Sequence, residues 1–243
     1  MENLPHAWET PRKPAELTED RLLTAILDGT FPINSALPSE RELAEMLGVT
    51  RPTLREALQR LSRDGWVEIH HGKTTRVRDY WREGNLLILS AIARHGELLS
   101  GDFVTQLLQI RLLMAPEYAR MAIQNQGSAV LEALADLHNL DDSPEEFSRG
   151  DFLFHRQLTV LSGNPIFTLI LNGFGDLYIE MGKIYFANPE ARGFSRDFYG
   201  RLESAIRKGD VTLAHDVVRG VMLKSIELWN AAAHRTTFDG REG

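Results

Sequence analysis

The chain has no cysteine among its 243 residues. Disulfide staples and thiol chemistry are excluded, and a cytoplasmic location fits. It also has no run of about 18 apolar residues, so no membrane span is expected. The opening stretch, MENLPHAWETPRKPAEL, is polar and proline-rich; without an apolar h-region it does not read as a signal peptide. Internal repeats and low-complexity tracts are absent. A positive global charge is missing too: the formal net charge is −7, so any attraction for nucleic acid must come from a local patch. What remains, 43% hydrophobic and 25% charged residues, is ordinary for a soluble globular chain with core enough for one large or two modest domains.

The informative stretch runs from Ser39 to Lys73: SERELAEMLGVTRPTLREALQRLSRDGWVEIHHGK. Ser39 and Glu42 form the S-x-x-E pattern of a capping box, which opens a short helix. Leu43, Met46 and Leu47 give it one apolar stripe, and Gly48 ends it. Thr50 caps a second helix with Pro52 in its first turn, where a missing N–H does no harm. Leu54, Ala57, Leu58 and Leu61 recur at helical spacing as its buried face, and Arg51, Thr53 and Arg55 lead on the other. Gly65 closes it. Val67 and Ile69 alternate as a strand, His71-Gly72 turns, and Thr75 and Val77 return. This is the pattern of a winged helix-turn-helix, whose second helix enters a major groove N-terminus first. Between Val49 and Arg78 seven basic residues face three acidic ones, a net of +4. A basic helix face alone reads as a solvated surface; two capped helices, a wing and basic tips together read as a DNA-binding unit.

Around this unit the chain divides into a flexible arm over 1–14, the winged helix-turn-helix domain over 15–79 and a linker over 80–84. An all-α helical domain follows over 85–235, then a polar tail over 236–243. The first domain opens with a helix from about Thr18 to Asp28, Thr18 as its cap. After Asn85 no strand alternation is visible. The spacing predicts helices near 85–95, 101–124, 127–138, 143–161, 166–187, 192–207 and 211–233, broken by Gly, Pro and Asn. The fold class is therefore mostly α.

The segment LPSERELAEMLGVTRPTLREALQRLSRDGWVE resembles the DNA-binding domain of GntR-type transcription regulators. HGKTTRV, SGNPIFTLILNG and YFANPEAR resemble the FadR branch of that family, which regulates fatty acid metabolism and responds to acyl-CoA; the likeness covers about residues 15–235. It implies a homodimer that binds double-stranded operator DNA and is released by long-chain acyl-CoA, with no enzymatic activity, no cofactor and no membrane partner. The implied DNA contacts are Arg41, Thr50, Arg51, Thr53, Arg55, His71, Gly72 and Lys73. Each suits its role: the forks of Arg51 and Arg55 match guanine edges, Thr50 and Thr53 sit where a helix N-terminus meets phosphate, and Gly72 lets the wing approach closely. Pro52 stands where threonine is expected.

For the helical domain the likeness implies a ligand site at Arg111, Tyr178, Tyr199, Met222, Ser225 and Trp229. Arg111 lies in the apolar LLQIRLLM and needs an anion; an ion pair inside the domain would serve as well as a ligand. Ser225 and Trp229 are one turn apart, and Tyr178, Tyr185 and Tyr199 add phenols that need partners. Two positions depart from the branch: Met222 replaces a glycine and His155 a phenylalanine. Asp151 and His155, four apart, raise a competing reading, because other GntR regulators use D-x-x-x-H with two later histidines to bind a divalent metal and a small carboxylate. Those later positions match Tyr199 and Val221, so the expectation is no metal, and a hydrogen bond between Asp151 and His155 instead. A metal-dependent hydrolase would need a nucleophile–base set, and none accompanies the pair.

Overall fold

The computed structural model describes residues 12–70, 72–93, 95 and 101–239. Most of the expected arm, the wing-tip His71, the break at Gly96 and the end of the expected tail lie outside the described residues. The chain divides into two compact units between Ile88 and Leu89.

The first unit begins with α1, Pro14–Leu27, four residues before the expected start. Pro14 takes the first helical position, and the Glu16 carboxylate accepts from the Lys13 N–H at 3.1 Å. Thr18 is therefore no cap. It is buried, and its hydroxyl donates to the Pro14 carbonyl at 2.7 Å. Helix α2, Glu40–Leu47, has the capping box: Ser39 N–H donates to Glu42 at 3.0 Å and Glu42 N–H to the Ser39 hydroxyl at 3.4 Å. Its inward face is Leu43 and Ala44; Met46, expected in that stripe, is 66% exposed. Gly48 ends it at φ +67°. Helix α3, Arg51–Asp64, starts at Thr50, whose hydroxyl accepts from Thr53 N–H, and buries Leu54, Ala57, Leu58 and Leu61. The wing is β1, Val67–Glu68, antiparallel to β2, Arg76–Val77, with Val67 opposite Val77. It is shorter than expected: Ile69 lies outside the ladder and is 38% exposed. The expected linker contains a helical turn, α4, Tyr80–Glu83, whose Tyr80 ring rests on Trp66 with centroids 4.7 Å apart.

The chain passes into the second unit within α5, Leu86–Ala93. Six helices follow among the described residues. They are α6, Gly101–Leu137; α7, Pro144–Leu161; α8, Pro165–Gly173; α9, Gly175–Phe186; α10, Pro189–Arg207; and α11, Val211–Asp239. Helix α6 has a break at Gln126 (φ −148°, ψ 51°), where two helices were expected. The starts of α7, α8 and α10 share one device: Ser143, Asn164 or Asn188 accepts a first-turn N–H, and a proline takes the next position. The stretch expected as one helix over 166–187 is two, divided at Phe174. The core gathers Tyr118, Phe147, Leu158, Tyr199, Leu202 and Val218 from α6, α7, α10 and α11.

Helices α7 and α9 approach closely at Gly182. A Cβ built there would lie 2.3 Å from the Ser148 hydroxyl oxygen, and that hydroxyl donates to the Ile179 carbonyl at 2.7 Å. Gly182→Ala must displace Ser148 or part the helices, so it should destabilise the unit by about 1–3 kcal/mol, read as a lower urea midpoint. An unchanged midpoint would contradict this packing.

Candidate functional sites

The first site is the leading edge of α3 with the start of α2 and the wing. Arg41, Thr50, Arg51, Arg55, Gly72 and Lys73 are exposed there, and Thr53 is half-buried. The Thr50 and Thr53 hydroxyls lie 2.9 Å apart. Gly72 has φ +75°, a turn that favours glycine. Several cations of this unit, Arg55 of the edge among them, are paired locally. Arg55 bonds Glu40 at 2.8 Å, Arg60 is drawn to Glu16, Glu19 and Glu56, Arg63 bonds Asp64, and Arg78 bonds Glu83. Arg41, Arg51 and Lys73 carry no ion pair among the described residues. These three leave unneutralised positive charge on the edge that helix-turn-helix geometry presents to a groove.

The second site is a cavity of about 80 Å³ inside the helical unit. Its walls are mainly apolar, with Leu107 and Leu108 from α6, Phe174 ahead of α9, Leu177 and Met181 from α9, and Phe198 from α10. Arg111, Asp151, His155, Tyr178, Met222, Ser225 and Trp229 also line it. Tyr199 does not; it stands behind Asp151 and donates to Oδ1 at 3.2 Å.

The polar groups are organised around the Asp151 carboxylate. Tyr178 donates to Oδ2 at 2.5 Å, and an Arg111 Nη lies 3.6 Å from the same oxygen. Arg111 also donates to the Tyr178 hydroxyl, and its guanidinium carbon sits 4.3 Å above that ring's centroid. Burial works against the Arg111 charge, but Tyr178 and Asp151 outweigh it and hold the group above its ordinary value. Burial raises the Tyr178 and Tyr199 phenols, which stay protonated as donors. The anion that Arg111 demands is therefore supplied within the domain.

The expected Asp151–His155 hydrogen bond is not made. His155 Nε2 lies 3.8 Å from Oδ1, beyond bonding distance. Nδ1 instead meets the Tyr118 hydroxyl at 2.7 Å. Tyr118 is the residue that sequence reasoning missed. It follows Arg111 by seven positions on α6, two helical turns on one face, and that spacing was the available signal. The metal reading fits poorly. Asp151 is taken up by two phenols, Tyr199 and Val221 stand where further histidines would be needed, and His215 pairs with Glu117 and Asp216. Among the described residues no three metal-ligating side chains gather.

Arg192 was also missed. It lies in the first turn of α10, donates to the Phe186 carbonyl at the end of α9 at 2.5 Å, and bonds Asp142 at 2.8 Å. It thereby fixes the helix that carries Tyr178 and Tyr185.

Residues 14–77 match the model of the gntR family of bacterial regulatory proteins, and residues 78–239 that of the FadR C-terminal domain. The chain belongs to the FadR type of the GntR family. These are transcription regulators, not enzymes. The fatty acid metabolism regulator protein of Shewanella sp. (strain MR-4) is 42% identical over 216 residues, 89% of this chain and 90% of that one. That of Pectobacterium carotovorum subsp. carotovorum (strain PC1) is 41% identical over 220 residues, 90% and 92% of the two chains. Among solved structures, Lar, described as controlling expression of the Listeria monocytogenes agr system, aligns with a TM-score of 0.64 at 16% identity. It covers 92% of this chain and 99% of that one and shares the fold. No described helix of this FadR-type chain is long and apolar enough to cross a membrane.

Burial lowers the His155 pKa from 6.5 to about 4. On unfolding the imidazole regains its ordinary affinity for protons, so between these values the unfolded chain binds more of them. The contribution is fully present above about pH 6.5 and is lost as pH falls toward 4, at up to about 1.4 kcal/mol per pH unit. Urea titrations at pH 5 and pH 7 should show a smaller pH-dependent difference for His155→Gln than for the native chain.

Proposed function

We propose that this FadR-type protein is a homodimeric cytoplasmic regulator of fatty acid metabolism that holds operator DNA through its winged helix-turn-helix and is released by long-chain acyl-CoA. The assignment of Arg41, Thr50, Arg51, Thr53, Arg55, His71, Gly72 and Lys73 to DNA, and of Arg111, Tyr178, Met222, Ser225 and Trp229 to the effector, belongs to this reading. The observation that carries it is the mixed character of the cavity. An acyl chain needs apolar walls, with about 0.8 kcal/mol for each methylene buried. The polar head of a thioester needs donors, and Arg111 Nε and Trp229 Nε1 are donors of the lining without a partner among the described residues.

The cavity's 80 Å³ is far below the roughly 300–1,000 Å³ of sites that enclose ligands of drug size. A long acyl chain therefore fits only an expanded arrangement of the helices. In this reading the closed unit is the DNA-binding state and the ligand selects the expanded one. Met222, 2% exposed and part of the wall, is one of the groups that must give way.

Titration with C8 to C18 acyl-CoA thioesters tests the effector. Affinity should rise with chain length until the cavity is full, and operator affinity should fall in parallel. If no thioester binds either the native chain or Met222→Gly while DNA binding persists, the effector reading is wrong.

On the DNA side, Arg51→Ala should cost about 1–3 kcal/mol and relax sequence preference. Lys73→Ala should weaken all sequences alike and reduce the salt slope by about one. Binding assays at several salt concentrations distinguish these outcomes; unchanged operator affinity in Arg51→Ala would remove the recognition helix from the groove.

A further inference from the structure

Three buried nitrogens of residues that line the cavity described above lack a hydrogen-bond partner among the described residues: Arg111 Nε, His155 Nε2 and Trp229 Nε1. Unmet buried polar atoms are costly and uncommon in folded proteins, so each calls for a partner that enters from the cavity. His155 is the most constrained. Its side chain is fully buried, and Nδ1 is already committed to the Tyr118 hydroxyl at 2.7 Å. No other acceptor for the Tyr118 hydroxyl hydrogen is found among the described residues, so the phenol is taken as the donor and Nδ1 as its acceptor. In that tautomer Nε2 carries the imidazole hydrogen and is a buried donor without a partner in the closed unit.

The second half of the geometry is Asp151. Its Oδ1 lies 3.8 Å from His155 Nε2, too far for a direct bond. An oxygen about 2.8 Å from both atoms bridges that gap comfortably, because ordinary N–H···O and O–H···O bonds have that length. Such an oxygen must accept from Nε2 and donate to a carboxylate. A hydroxyl does both; a keto oxygen only accepts, and a methylene does neither. Oδ1 already accepts from Tyr199, and a carboxylate oxygen has a further lone pair for this bond.

We propose that the effector of this protein is an acyl thioester whose chain carries a hydroxyl group, seated between His155 Nε2 and Asp151 Oδ1. This inference rests on the acyl-CoA reading and narrows its ligand class. The His155 and Asp151 pair then acts as a specificity element inside an otherwise apolar wall. A plain acyl chain pushed past the pair leaves His155 Nε2 unmet or holds a water there, whereas a hydroxylated chain meets it and adds a bond to Asp151 with its own atom.

Calorimetric titration decides it. Acyl-CoA thioesters of equal length, unsubstituted or hydroxylated at C2, at C3 or at the chain end, are compared on the native chain, on His155→Phe and on Tyr118→Phe/His155→Phe. The double variant removes the Tyr118 phenol that the single one leaves without its partner. One hydroxylated isomer should bind the native chain about tenfold or more tightly than its unsubstituted counterpart, and that ratio should fall to about one in the variants. Equal affinities across the set in the native chain overturn the proposal, as does a hydroxyl preference that survives in both variants. In those cases the broader acyl-CoA reading stands; if no thioester binds at all, that reading falls and this one with it.

Discussion

The buried carboxylate of Asp151 is the point on which the helical unit depends. A carboxylate removed from water is costly unless its oxygens are met. Here α7 carries the charge, α6 brings Arg111, α9 brings Tyr178 and α10 brings Tyr199. One group thus ties four helices whose other contacts are mainly apolar. Apolar packing tolerates sliding; a carboxylate held by two phenols and a guanidinium tolerates little. The cluster also fixes which atoms remain for a ligand, because each phenol committed to Asp151 is no longer available to the cavity.

The same cluster explains how much of the molecule was legible in its sequence. The helix-turn-helix was legible because its devices are local: Ser39 with Glu42, Thr50 before Pro52, and glycines at positive φ at 48 and 65. The start of α1 was misjudged because two capping signals compete within five residues, and Pro14 with Glu16 prevails over Thr18. The division at Phe174 was hidden because apolar periodicity runs through it. A local signal was there, Asn172-Gly173 before it and Gly175 after it, but the periodicity outweighed it; in the fold Gly175 lies close against the Phe152 ring.

For the cavity, helical spacing placed Asp151 and His155 on one face. It could not show that each would find a phenol from another helix before finding the other. Arg111, Tyr178, Ser225 and Trp229 share the cavity, but Tyr199 became support for the carboxylate rather than wall. Side chains that meet across helices leave no spacing signal, and these are the places where the reading from sequence stopped.

The sorting of charge in the first unit has a kinetic side. Arg55, Arg60, Arg63 and Arg78 are held by carboxylates of their own domain, and the chain as a whole is acidic at −7. Few counterions are then displaced when this surface rests on arbitrary duplex, so loose encounters are short-lived. A searching protein with little general adhesion spends its time in solution and hopping, rather than tracking along one stretch. Residence becomes long only where base edges answer the side chains of α3, so selectivity on such a surface shows as lifetime rather than as rate of arrival.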